Sequence, residues 1–79
     1  MNKPTVGRQV HYVPHSFERL LNHTQPFVAT ITYVWNDGIV NLFVLREDGI
    51  PLLNKTSIAL VENAQPGQCE WPKIIKEQV

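Results

Sequence analysis

Seventy-nine residues make one domain at most, and so short a chain buries only about 60% of the surface it exposes when unfolded. Seven Lys and Arg balance seven Asp and Glu, for a formal net charge of zero. That argues against a non-specific nucleic-acid coat and against a membrane-surface binder that works by charge, since both need excess positive charge. Hydrophobic residues make up 43% of the chain, enough to fold rather than stay disordered. No apolar run approaches the roughly 20 residues of a membrane span, and the opening MNKPTVGRQ lacks the apolar stretch of a signal peptide. A single cysteine, Cys69, cannot form an internal disulfide, which fits a reducing cytoplasm.

Proline and glycine are spread along the whole chain, leaving short segments of the kind an all-β domain uses. Residues 9–13, Gln-Val-His-Tyr-Val, read as a first strand closed by Pro14. Between Pro14 and Pro26, Ser16 is placed to cap a short helix over residues 17–21 with Phe17, Leu20 and Leu21 on one face. Residues 27–35 are almost all strand formers, and Asn36-Asp37-Gly38 then supplies a hairpin turn. Both faces of 27–35 are apolar or Thr, so its phase is open. The return strand, 39–46, alternates Val40, Leu42 and Val44 against Asn41 and Phe43. Glu47-Asp48-Gly49 is a second turn, 51–53 pairs weakly, and Asn54-Lys55 turns again. Residues 56–61 make a further strand, 63–67 a loop, and Glu70-Trp71-Pro72 a last edge strand; the tail 73–79 is too mixed to place. The pattern predicts an all-β domain spanning 1–79, a small SH3-like barrel of about five short strands with a short helical insertion.

No catalytic or metal-binding set emerges. His11, His15, His23 and Cys69 lack metal-ligand spacing, and Pro14 breaks any helical pairing of His11 with His15. No cationic residue neighbours Cys69 in sequence to activate its thiol, Asp37, Glu47 and Asp48 sit in turns, and no Gly-rich phosphate loop occurs. Among the aromatics, Tyr12, Tyr33, Trp35 and Trp71 are divided between core duty and stacking on a flat ligand. More telling are polar residues that strands do not need. Arg8, through its planar fork, suits a phosphate; Asn41 suits a base edge; Thr56 and Ser57 offer hydroxyls; His11 alternates with Val10 and Tyr12. The plain alternative is a set of solvent-facing side chains, with Asn41 satisfying backbone groups at a barrel edge. One neutral domain has too little area to enclose a ligand, so a binding patch implies oligomerisation.

The run PTVGR-x-VHYV, followed by Ala29-Thr30-x-Thr32-x-Val34-Trp35, Val40-Asn41-Leu42-x-Val44, Thr56-Ser57 and Trp71-Pro72, resembles a group of small proteins encoded by tailed bacteriophages. The group in turn looks like the phage anti-CBASS sponge proteins, small β-rich oligomers that sequester cyclic dinucleotide immune signals. The resemblance implies binding without turnover in the host bacterial cytoplasm, with no cofactor and a site between subunits of a homo-oligomer. It points to Arg8, His11, Tyr12, Asn41, Thr56, Ser57 and Trp71 as the lining. Residues 15–25 and 73–79 fall outside the firmest matches. The rival expectation is an SH3-like interaction module that docks on a host or phage protein through Trp35 and its strand edges.

Overall fold

The structure, a computed structural model, describes residues 3–21 and 25–72; His23 and the tail 73–79 lie outside them. Six strands follow in order: β1 (Gln9–Tyr12), β2 (Phe27–Asn36), β3 (Ile39–Leu45), β4 (Pro51–Leu52), β5 (Ile58–Ala59) and β6 (Cys69–Glu70). They form one antiparallel sheet of order β4-β3-β2-β1-β6, with β5 joining β3 beside β4. The all-β expectation holds, but the sheet is not closed. A single parallel bridge, Leu60 to Cys69, and the Val61 N–H donated to the Cys69 carbonyl at 2.9 Å link the end of β5 to β6.

The β2–β3 hairpin forms because Asn36 organises its own turn, its Oδ1 accepting the Gly38 N–H at 2.8 Å. Strand β3 alternates as its sequence dictates: Val40, Leu42 and Val44 are buried while Phe43 is exposed. The phase of β2 is set by two one-residue slips against β3, after Ile31 and after Val34. Phe27, Ala29 and Ile31 face the core. Unbroken alternation would send Tyr33 and Trp35 inward too. The first slip pairs Tyr33 with the outward Asn41 and turns Val34 toward the core, so that Trp35, next in the alternation, stays outside; the second pairs Asn36 with Ile39. A bulge-type extra residue reverses which face the following residues meet. Val10, Tyr12 and Cys69 complete the core from β1 and β6.

The expected helix over 17–21 does not form. A single 3₁₀ turn, Ser16–Glu18, is capped by His15 rather than Ser16, and Arg19 is already extended. The Leu20 and Leu21 N–H groups go instead to the two carboxylate oxygens of Glu47, at 2.7 and 2.8 Å, so no second turn follows. Phe17, Leu20 and Leu21 are exposed rather than packed on one face. Two strand expectations also shrink. Of 56–61 only Ile58–Ala59 pairs with β3, because Ser57 takes a left-handed backbone (φ 55°) that breaks the ladder before it. The last strand is Cys69–Glu70, and Trp71-Pro72 lies beyond it, Pro72 having no N–H to donate. No helix among the described residues is long and apolar enough to cross a membrane.

One glycine is fixed by both conformation and space. Gly67 has φ +90°, its N–H donates to the Val13 carbonyl at 2.8 Å, and a Cβ there would stand 2.7 Å from Nε2 of His15. Gly7 has a similar φ of +93° but open surroundings. Gly67→Ala is therefore expected to destabilise the fold by about 2 kcal/mol or more, and Gly7→Ala by about 1 kcal/mol. Urea unfolding ranks the two; equal losses would mean that the close approach of His15 carries no weight.

Candidate functional site

The seven candidate residues fall into three places, not one. The first is the edge where β6 meets β1. Antiparallel pairing sets His11 against Glu70 and Tyr12 against Cys69, so the chain running on from β6 brings Trp71 back toward the residues before β1. Gly7 and Arg8 extend the β1–β2 ladder. The Gly7 N–H donates to the Ile31 carbonyl at 2.8 Å and the Ile31 N–H to the Arg8 carbonyl at 2.9 Å. With its backbone so held, Arg8 lays its guanidinium 5.0 Å from the centroid of the Trp71 ring. Trp71 is half-buried against the core and Arg8 is exposed. Such a pair is attractive through the ring quadrupole, and it sets a cation beside an aromatic ring at the surface.

The second place is the outward side of β3. Asn41 does not present its carbonyl to solvent as a free base-reading group. Its Oδ1 accepts the Trp35 Nε1–H at 2.8 Å and the Ser57 N–H at 2.8 Å. Asn41 therefore joins β2, β3 and the start of β5, closer to the plain structural role. Thr56 is exposed beside it. Strand β2 separates this group from Arg8 and Trp71. His11, half-buried, lies on the outward side of β1 between Val28 and Glu70.

Tyr12 occupies the third place, the interior. Its ring is buried in the core and its hydroxyl donates to Glu18 Oε1 at 2.9 Å, which corrects its expected place in a ligand-facing patch: the inward phase of β1 leaves its ring no open face. The same Glu18 oxygen accepts the His15 N–H at 2.8 Å, and Oε2 accepts from the Lys55 ammonium, which also stands 5.4 Å from the Tyr12 ring centroid. The Glu18 side chain is only 7% exposed. Burial pushes its carboxyl up, but the hydrogen bonds from Lys55, His15 and Tyr12 outweigh this and leave it below the usual carboxylate value. Burial, then the bond to Glu18, pushes the Tyr12 hydroxyl the other way, well above the usual phenol value.

Glu18 and Lys55 do not stand out in the sequence, because one lies in a short polar connection and the other in a turn. The one available signal is that Glu18 lies three residues past His15, where a carboxylate reaches back to a cap N–H. Cys69 is a core residue; burial, with the nearby Glu70 carboxylate, pushes its thiol up to about 12, so it is not a thiolate nucleophile near neutral pH. Two of the turn acids have structural roles: Asp48 pairs with Arg46 at 2.7 and 3.0 Å and accepts the Ile50 N–H, and Glu47 accepts the Leu20 and Leu21 N–H groups. Among the described residues no three His, Cys, Asp or Glu side chains form a group able to hold a metal ion.

The Glu18 cluster sets an acid response. The folded carboxyl lies below its unfolded value, so the ionised cluster stabilises the fold above the ordinary Glu range, near pH ~4.3, and this contribution is lost as pH falls through the lower folded value. Glu18→Gln should lower stability at pH 7 by about 2–3 kcal/mol and remove part of the wild-type decline between about pH 5 and pH 3. Denaturant unfolding across that range checks both; an unchanged slope would detach Glu18 from the acid response.

Compared with protein-family models, with curated proteins and with solved structures, the chain finds no match in any of the three.

Proposed function

We propose that this chain is a phage-encoded, non-enzymatic protein that binds a cyclic dinucleotide immune signal and withholds it from the host effector, thereby blocking anti-phage defence. It acts as a homo-oligomer in the host bacterial cytoplasm. The observation that carries this reading is the Arg8 guanidinium 5.0 Å from the centroid of the Trp71 ring at the β1–β6 edge. A guanidinium carries planar N–H donors that suit phosphate oxygens. A guanidinium on an indole also makes a platform on which a nucleobase stacks. Two copies offer two such pairs to a ligand with two phosphates and two bases, so a chain of zero net charge needs only local positive charge. Capture below micromolar requires about −8 kcal/mol, within reach of two stacked bases at ~1–3 kcal/mol each plus charge-assisted hydrogen bonds at ~1.5–3 kcal/mol each.

The fold belongs to this proposal as an SH3-like barrel. The Leu60–Cys69 bridge supports it by drawing the end of β5 toward β6. The second reading, an SH3-like module that binds and inhibits a host or phage protein, draws on the exposed Tyr33 and Trp35, whose rings meet edge to face at 4.8 Å. It uses a different surface, so the two readings separate by mutation.

Calorimetry with a panel of cyclic di- and trinucleotides is expected to give submicromolar binding to at least one. Arg8→Ala should weaken that binding about 100-fold, the loss of a charge-assisted contact to phosphate, with the unfolding midpoint within experimental error of wild type. Silence across the panel ends the sequestration reading. Nucleotide released by heating should be intact; a cleaved product would overturn the non-enzymatic part.

A further inference from the structure

Strands β1, β2 and β3, of 4, 10 and 7 residues, contain no Lys, Arg, Asp or Glu. The chain carries seven acidic and seven basic residues, and none of them falls in these three strands. One side of those strands is the core. On the other, Val28, Phe43, Tyr33 and Trp35 are 49%, 48%, 50% and 57% exposed. An antiparallel sheet that faces water normally alternates apolar inward with polar or charged outward. Here the water side of β2 and β3 carries Val28, Thr30, Tyr33, Trp35 and Phe43 beside Asn41, and no charge.

The first register slip in β2 bears on this directly. It places both Tyr33 and Trp35 outward, where regular alternation would have buried them. The polar atom of Trp35 is already satisfied, its Nε1–H bound to Asn41 Oδ1 at 2.8 Å. The ring can thus be covered by an apolar surface without leaving a buried donor unpaired.

We infer that the outward face of β2 and β3 is a homotypic contact, on which a second copy of this chain packs sheet against sheet. A two-fold contact sets one patch against itself, so any charge on the patch near the axis meets its own kind. Strands β2 and β3, which carry no charged residue of their own, meet that condition. Recognition of a different protein places no such demand and usually draws on complementary charge. The contact does not involve Arg8 or Trp71 and needs no nucleotide, so it stands or falls separately from the ligand reading.

Sedimentation equilibrium without nucleotide tests it. Between about 1 and 200 µM the wild type should populate a dimer, and Phe43→Glu should weaken association about 100-fold or more by bringing like charges together. Leu53→Glu, at a residue 79% exposed and outside the strands, should leave the dimer intact. Mixing Phe43→Glu with Phe43→Lys should restore association, a rescue that misfolded chains could not give. If Phe43 variants do not fold, Thr30→Lys, paired opposite Phe43, takes their place with the same expected loss. A wild type that remains monomeric throughout overturns the inference and leaves the face to a different protein. So does a folded Phe43 or Thr30 variant that dimerises as well as wild type.

Discussion

Two residue pairs hold the account together. Strand β6 pairs with β1 through His11 with Glu70 and Tyr12 with Cys69. That short ladder brings Trp71, late in the chain, to Arg8, near its start. It survives at two residues because its inward members, Tyr12 and Cys69, are both buried, so core packing does what few hydrogen bonds cannot. The Val13 N–H to the Gln68 carbonyl at 2.9 Å and the Gly67 N–H to the Val13 carbonyl at 2.8 Å extend the join past the strand ends.

The core behind that edge is small, a cluster of nine buried hydrophobic residues among those described, and an ionic cluster braces it. Glu18 gathers donors from Tyr12 in β1, from His15 in the connection after it, and from Lys55 between β4 and β5. A nearly buried carboxylate is costly unless its lone pairs are taken up; here three donors do so. The insertion after β1 is therefore tied to the core by a side chain rather than by a helix. Glu47 makes a second tie to the same connection through the Leu20 and Leu21 N–H groups.

Much of this was legible in the sequence where a local rule acts alone. Residues 9–12, 27–36 and 39–45 combine β-branched and aromatic side chains with an Asn-Asp-Gly turn, and the alternation of 40, 42 and 44 named its own buried face. Long-range contacts overrode local preference elsewhere. The apolar spacing of Phe17, Leu20 and Leu21 suits a helix, yet the backbone donors of 20 and 21 find a carboxylate 27 and 26 residues away. The register slip that turns Tyr33 and Trp35 outward leaves no mark in a run of strand formers. Of the candidate site, Arg8 and Trp71 do meet; Asn41 and Ser57 meet one another in a structural role; Tyr12 is interior. A list of polar and aromatic residues has no depth coordinate, and burial is what divided these.

The central claim is that the Arg8–Trp71 pair is where a cyclic dinucleotide is held. Its most direct test is a nuclear magnetic resonance titration that follows the Arg8 Nε–H and the two indole N–H signals as ligand is added. The account predicts saturable shifts of Arg8 and Trp71 while the Trp35 indole, bound to Asn41, stays in place. Movement of Trp35 without Arg8 or Trp71, or no movement of any, would contradict it.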